Sequence, residues 1–193
     1  MGEGEHGHET PEYWEEIYAE GPGETPVDVL LPEVAAGFQP GTALDVGCGE
    51  GQNSRWLAER GWSVLGIDIA PTAIARARED APAGIRFEVA DARFWQPEGV
   101  FDLVISTYAL GNRRDAILAM AVAAVAPGGT AYVCEFDESA DTPWPPEDLV
   151  SLDELVSPFD GFEISRAEVL TLPHGHGSTE WPVAVVVAQR PVR

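Results

Sequence analysis

The stretch Ala43-Leu44-Asp45-Val46-Gly47-Cys48-Gly49-Glu50-Gly51-Gln52 constrains this chain more than any other. A short, mostly apolar run carries one acid, Asp45, and three glycines follow at every second position. The apolar run reads as a buried parallel strand. The glycines let backbone approach a ligand closely, with no Cβ in the way. The segment Asn53 to Arg60 reads as a helix that stops at Gly61. Strand, glycine turn and helix together form the first unit of a nucleotide-binding α/β fold.

The details narrow the nucleotide. A dinucleotide fingerprint needs a Gly or Ala three positions after its second glycine, and Gln52 stands there. A phosphate-binding P-loop needs a lysine after its last glycine, and this chain contains no lysine. Asp45 would repel a pyrophosphate and suits a ligand that carries a positive group.

The rest of the chain continues the alternation. Pro11 opens a helix with Tyr13, Trp14, Ile17 and Tyr18 on one face. A second helix is expected over Val27–Ala36, after a Gly/Pro loop. Strands are expected at Ala43–Val46, Ser63–Asp68, Ile85–Val89, Phe101–Ser106 and Thr130–Phe136, with helices from Pro71 to Glu79 and from Arg114 to Val125. Pro127-Gly128-Gly129 is expected to end the latter helix. A further short helix lies near Leu152–Val156. The last two strands, Phe162–Leu170 and Val183–Gln189, have no helix between them, so they form a hairpin and the final strand runs antiparallel to its neighbour. This predicts an α/β fold: a single Rossmann-like, mostly parallel sheet with helices on both faces. Residues 1–10 read as a disordered acidic tail and 11–193 as one domain that opens with a helical segment, 11–37.

Composition limits the partners. With 33 acids against 11 arginines the net charge is −22. Such a chain lacks the clustered cations that nucleic acid or an anionic membrane surface requires. Two cysteines give no disulfide framework, no run is long enough to span a bilayer, and the N-terminus does not resemble a signal peptide. A cytoplasmic monomer or homodimer acting on a small molecule is the expectation.

The motif Asp45-Val46-Gly47-Cys48-Gly49-Glu50-Gly51 closely resembles the glycine loop of class I S-adenosylmethionine (SAM) dependent methyltransferases. Strand-ending Asp68 and Pro127-Gly128-Gly129 fit the same family, and the resemblance covers about residues 12–190. It implies seven strands in the order 3-2-1-4-5-7-6 with strand 7 reversed, and SAM as methyl donor with S-adenosylhomocysteine as product. Asp45, Gly47, Cys48, Gly49 and Gly51 would then hold the methionine end of SAM. Asp68 would accept the ribose hydroxyls, although an acid there also suits a helix cap. Ile69 would pack on adenine. Asp91 would accept from the adenine amino group, with the Ala92 amide alongside; a plain turn residue is the other reading of Asp91. The segment from Ser106 through Tyr108 would meet the sulfonium and the acceptor.

The opening Tyr13-Trp14-Glu15-Glu16-Ile17-Tyr18 resembles that of small bacterial methyltransferases of the tellurite-resistance and thiopurine groups, in which this helix folds over the SAM site, so the resemblance implies that segment 11–37 is a helical lid. The usual arginine before the tyrosine is Ile17 here, and Tyr18 can still reach the site. No catalytic base stands out. Tyr18, Tyr108 and His174 are candidates, with Glu135, Asp137, Glu138, Arg113, Arg114 and His176 near the same strand ends. A His174–His176 metal site needs a third ligand, for which Glu135 or Asp137 could serve, and no metal is expected. The acceptor could be a thiol, chalcogen, amine or hydroxyl. A SAM-binding regulator without catalysis is the alternative; a nicotinamide-dependent reductase fits less well because of Gln52 and the terminal hairpin.

Overall fold

The computed structural model describes residues 10–23, 26–79, 81–173 and 179–192. Most of the expected acidic tail, and both His174 and His176, lie outside the described residues. The chain runs α1 (Pro11–Ala19), α2 (Leu31–Ala36), β1 (Thr42–Val46), α3 (Gln52–Ala58), β2 (Ser63–Asp68), α4 (Pro71–Arg78), β3 (Ile85–Val89), β4 (Phe101–Thr107), α5 (Arg114–Ala124), β5 (Val125–Phe136), α6 (Leu152–Val156), β6 (Glu163–Pro173) and β7 (Glu180–Gln189). These strands form one seven-stranded sheet in the order β3-β2-β1-β4-β5-β7-β6. β7 is antiparallel to both β5 and β6, and the other pairings are parallel.

Alternation along each strand divides the core into two layers. Leu44, Val46, Leu65, Ile67, Val104, Val133 and Val186 face one side, where Leu118 and Ala121 of α5 cover them. Ala43, Val64, Leu103, Ile105, Tyr132 and Val185 face the other, beneath Leu31 of α2 and Leu57 of α3. Apolar residues on both faces explain why the central strands read as continuous apolar runs.

Three boundaries differ most from expectation. Helix α5 stops at Ala124, because Val125 is already extended and pairs with Phe101. Pro127-Gly128-Gly129 therefore lies within β5, as an irregularity before Thr130 rejoins Leu103. Helix α2 starts at Leu31, four residues late, because Asp28 Oδ1 accepts from the Leu30 and Leu31 N–H groups, both at 3.0 Å, and holds the preceding residues in a turn. The terminal hairpin is longer than expected, reaching Pro173 on one side and Glu180 on the other.

Candidate active site

The glycine loop is fastened to β2. The Gly47 and Cys48 N–H groups both donate to the Ile67 carbonyl, at 2.9 and 3.0 Å. Gly49 N–H donates to Asp68 Oδ2 at 2.8 Å, and Ala70 N–H donates to Asp68 Oδ1 at 2.9 Å. Asp68 thus braces both the loop and the start of α4, which has no side-chain cap of its own. Burial pushes its carboxyl up, against the opposing pull of those amides. Each oxygen keeps room for another donor.

Position 47 must be glycine for two reasons. Its φ is +70°, and a Cβ there would lie 2.2 Å from the Ala109 Cβ. That close approach joins the loop after β1 to the loop after β4, at the point where strand order reverses. Ligands bind at such points in open α/β sheets.

A cavity of about 440 Å³ opens there, across the carboxyl ends of β1 to β5. Gly47, Gly49, Asp68, Ile69, Asp91, Ala92, Tyr18 and Tyr108 all border it. Asp45, Cys48, Gly51 and Ser106 are not among its lining. The Asp45 carboxylate, 1% exposed, instead accepts from Ser54 Oγ at 2.7 Å. Burial, opposed by that hydrogen bond and reinforced by Asp68, pushes it up to about 7. Asp45 therefore ties α3 to β1 behind the loop. Cys48 points its buried thiol at the Gly49 carbonyl, 3.7 Å away. Gly51 lies under the Phe87 ring, where a Cβ would come within 2.6 Å. Ser106 is enclosed within β4 between Val46 and Val133.

At the other strand ends, Arg93 grips Asp91 through Nε, at 2.8 Å from Oδ1, and through its terminal nitrogen on Oδ2. Burial would raise the Asp91 carboxyl, but the Arg93 hydrogen bonds outweigh it and hold it below the ordinary value. Tyr108 adopts φ +55°, a left-handed conformation that is costly for an aromatic residue. Its N–H donates to the Cys134 carbonyl at 2.9 Å, and its ring centroid lies 4.8 Å from that of Phe136. Burial first, and then Cys134, push its hydroxyl well above the ordinary tyrosine value. It stays protonated at neutral pH.

Helix α1 covers the glycine loop. A Cβ on residue 49 would meet the Tyr18 hydroxyl at 2.9 Å. Trp14 and Ile17 from the same helix border the cavity. Pro173, the last residue of β6, also borders it. Of the other candidates near the strand ends, Arg113 borders the cavity, whereas Arg114 spends its guanidinium on the Glu147 and Leu149 carbonyls. Asp137 is used in a turn with Ser139. Among the described residues no group of three or more His, Cys, Asp or Glu could hold a metal ion.

Two bordering carboxylates complete the far side. Asp28 is buried; its Oδ1 accepts from the Tyr132 hydroxyl at 2.6 Å, and its N–H donates to Asn53 Oδ1 at 2.9 Å. Sequence reading missed Asp28; its position before Leu30-Leu31-Pro32 is a capping signal, but nothing local points toward the cavity. Glu135 is 3% exposed, and its two oxygens accept from the Leu110 and Phe136 N–H groups, each at 3.0 Å. Burial pushes it up to about 7, with those amides and Arg114 opposing and Asp148 adding.

This donor set suits SAM. The braced Asp68 carboxylate faces the cavity, Ile69 and Ala92 give apolar walls, and bare backbone at Gly49 leaves space that a Cβ would fill. Residues 43–129 match the family model described as a methyltransferase domain. A 2-heptyl-1-hydroxyquinolin-4(1H)-one methyltransferase of Mycobacteroides abscessus is 34% identical over 127 residues, or 61% of this chain and 56% of that protein. The structure described under the conversion of a disulfide bond into a thioacetal group during echinomycin biosynthesis superimposes with a TM-score of 0.74 at 26% identity, covering 94% of this chain and 93% of that one. A SAM-dependent methyltransferase of Methanosarcina mazei shares the fold at 23% identity, with a TM-score of 0.71 over 87% of this chain and all of its own. The chain spans about half the length of the curated relatives it matches. Residues 43–129 thus carry the match to a methyltransferase domain, and the chain as a whole has the sheet order and fold of the class I SAM-dependent methyltransferases.

Proposed function

We propose that this protein transfers a methyl group from SAM to a small-molecule acceptor by in-line displacement. The observation that carries this reading is the cavity's extent. It runs from Asp68 and Asp91 on one side of the β1/β4 crevice to Glu135, Phe136 and Trp144 on the other, giving room for a donor and an acceptor side by side. When bound, SAM supplies an electrophilic methyl on a cationic sulfur, and the carbon–sulfur pair leaves with S-adenosylhomocysteine.

The chain's own groups bind, orient and exclude water. Asp68 receives the ribose hydroxyls, Ile69 and Ala92 enclose the adenine, and Asp91 takes its amino group. The glycine loop holds the methionine end, and α1 closes over it through Tyr18. The rigid turn at Tyr108 fixes the acceptor's approach, and such positioning is worth several kcal/mol. The net charge of −22 disfavours a nucleic-acid acceptor.

Calorimetric titration with S-adenosylhomocysteine, followed by turnover of methyl-labelled SAM against thiols, amines and phenols, tests the proposal. Binding with transfer to at least one small acceptor is the expected result. Binding without transfer to any would leave a SAM-binding regulator as the better description. Tight NADH binding without S-adenosylhomocysteine binding would return the site to the nicotinamide class.

A further inference from the structure

We infer that Glu135 is the general base of this site and that the acceptor is an amine on an apolar body, arriving as its ammonium ion. The inference rests on the methyltransferase reading and names the substrate class within it.

Six carboxylate side chains and two arginines border the cavity among the described residues. On the donor side, Arg93 and Arg76 neutralise Asp91 and Glu50, and Asp68 faces the ribose position. The acceptor side keeps Asp28, Glu135 and Asp148 against Arg113. A cation is favoured there and a phenolate is not. The apolar surfaces of Trp14, Tyr108, Phe136 and Trp144 border the same space, and aromatic faces hold ammonium ions well.

An ammonium is no nucleophile until it loses a proton. Asp28 is already committed to structure, because one of its oxygens accepts three hydrogen bonds, from Leu30, Leu31 and Tyr132. Asp45 is proton-avid but does not border the cavity. Glu135 borders it, is buried, and takes only one amide donor on each oxygen. The charges facing it are Asp148 and Arg114. An N–H proton passes to a Glu135 oxygen, and the freed nitrogen pair forms the bond to the methyl carbon as the carbon–sulfur pair leaves with sulfur. Glu135 then returns the proton to solvent.

Benzylamine is the probe, beside phenol and thiophenol. The wild type should methylate benzylamine in preference to the other two, with an acidic limb in kcat/KM near pH 7. Glu135→Gln should lower that kcat/KM at least a hundredfold and remove the limb, while S-adenosylhomocysteine affinity stays within threefold and certifies an intact site. A second readout needs no turnover. Benzylamine binding to the protein–S-adenosylhomocysteine complex, measured in buffers of different ionisation enthalpy, should release about one proton at pH 6 and none at pH 8.5. Glu135→Gln should abolish that release. Preference for phenol or thiophenol, or proton release that survives Glu135→Gln, overturns the inference alone. Absence of S-adenosylhomocysteine binding overturns the methyltransferase reading and the inference with it.

Discussion

Glu15, on the helix that covers the cavity, accepts hydrogen bonds from both the backbone N–H and the hydroxyl of Thr72, at 2.8 and 2.7 Å. Helix α4 begins at Pro71 without a side-chain cap of its own, so a carboxylate from α1 fills that place across 57 positions of chain. It also meets the positive end of the α4 dipole. Helix α1 buries no residue fully, so polar links fasten it: this pair, and the Arg76 guanidinium on the Gly21 carbonyl at 2.7 Å.

Glu15→Ala should therefore loosen the cover rather than unfold the domain. Charge-assisted hydrogen bonds of this kind are worth ~1.5–3 kcal/mol each, and part of that loss should appear as faster ligand release. S-adenosylhomocysteine should dissociate about tenfold faster, the equivalent of ~1.4 kcal/mol. Stopped-flow tryptophan fluorescence reads it, since Trp14 lines the cavity. An unchanged dissociation rate would mean that α1 does not gate release.

Asp68→Ala removes the two oxygens proposed to accept from the ribose, together with the brace on Gly49 and Ala70. SAM affinity should fall well over tenfold, from lost hydrogen bonds worth ~1–2 kcal/mol each. The midpoint of thermal unfolding should fall as well, because two amides lose their acceptor. Calorimetry and a melting curve separate the two effects. Unchanged affinity would remove Asp68 from the ribose site.

Gly47→Ala probes the junction of the two loops. A Cβ at 2.2 Å from Ala109 requires the backbone to move, and φ +70° adds strain. A loss of at least ~2 kcal/mol in stability is expected from overpacking together with an incompatible φ, with S-adenosylhomocysteine binding abolished. Denaturant unfolding checks the first and calorimetry the second. Gly47→Ala combined with Ala109→Gly should recover part of both, because it relieves the clash but not the backbone strain.

The fold was legible because its signals are local. Apolar runs, turn glycines and the absence of a helix between the last two strands each follow from a few neighbouring residues. The strand ends could be placed on the same basis, which put Asp68, Ile69, Asp91, Ala92 and Tyr108 around one cavity. Side-chain direction was less legible. Asp45 lies within the glycine motif, yet the pleat of β1 turns it toward Ser54, and it does not border the cavity. Ser106 sits just before the cavity-lining Thr107 but lies inside the sheet. Contacts across long separations, such as Glu15 with Thr72 and Asp28 with Tyr132, leave no local trace. They exist only once the sheet order has brought distant segments together.

Stability should depend on pH through Glu135, with a definite sign. Its ordinary value is 4.5, and burial pushes it up to about 7 in the fold, with its amide donors opposing. The folded state then binds this proton more tightly than the unfolded chain does. Stability from that proton is fully present below pH 4.5 and is lost as pH rises through about 7. Glu135→Gln carries no such titration. Asp45, shifted in the same direction, is present in both proteins and cancels in the difference. The unfolding free energy of the wild type minus that of Glu135→Gln should therefore fall between pH 4.5 and 7.5, by up to a few kcal/mol at ~1.4 kcal/mol per unit. Urea unfolding of both proteins at several pH values across that range measures it. A difference that stays flat would place the Glu135 carboxyl at its ordinary value, and one that rises would mean the fold favours its charged form.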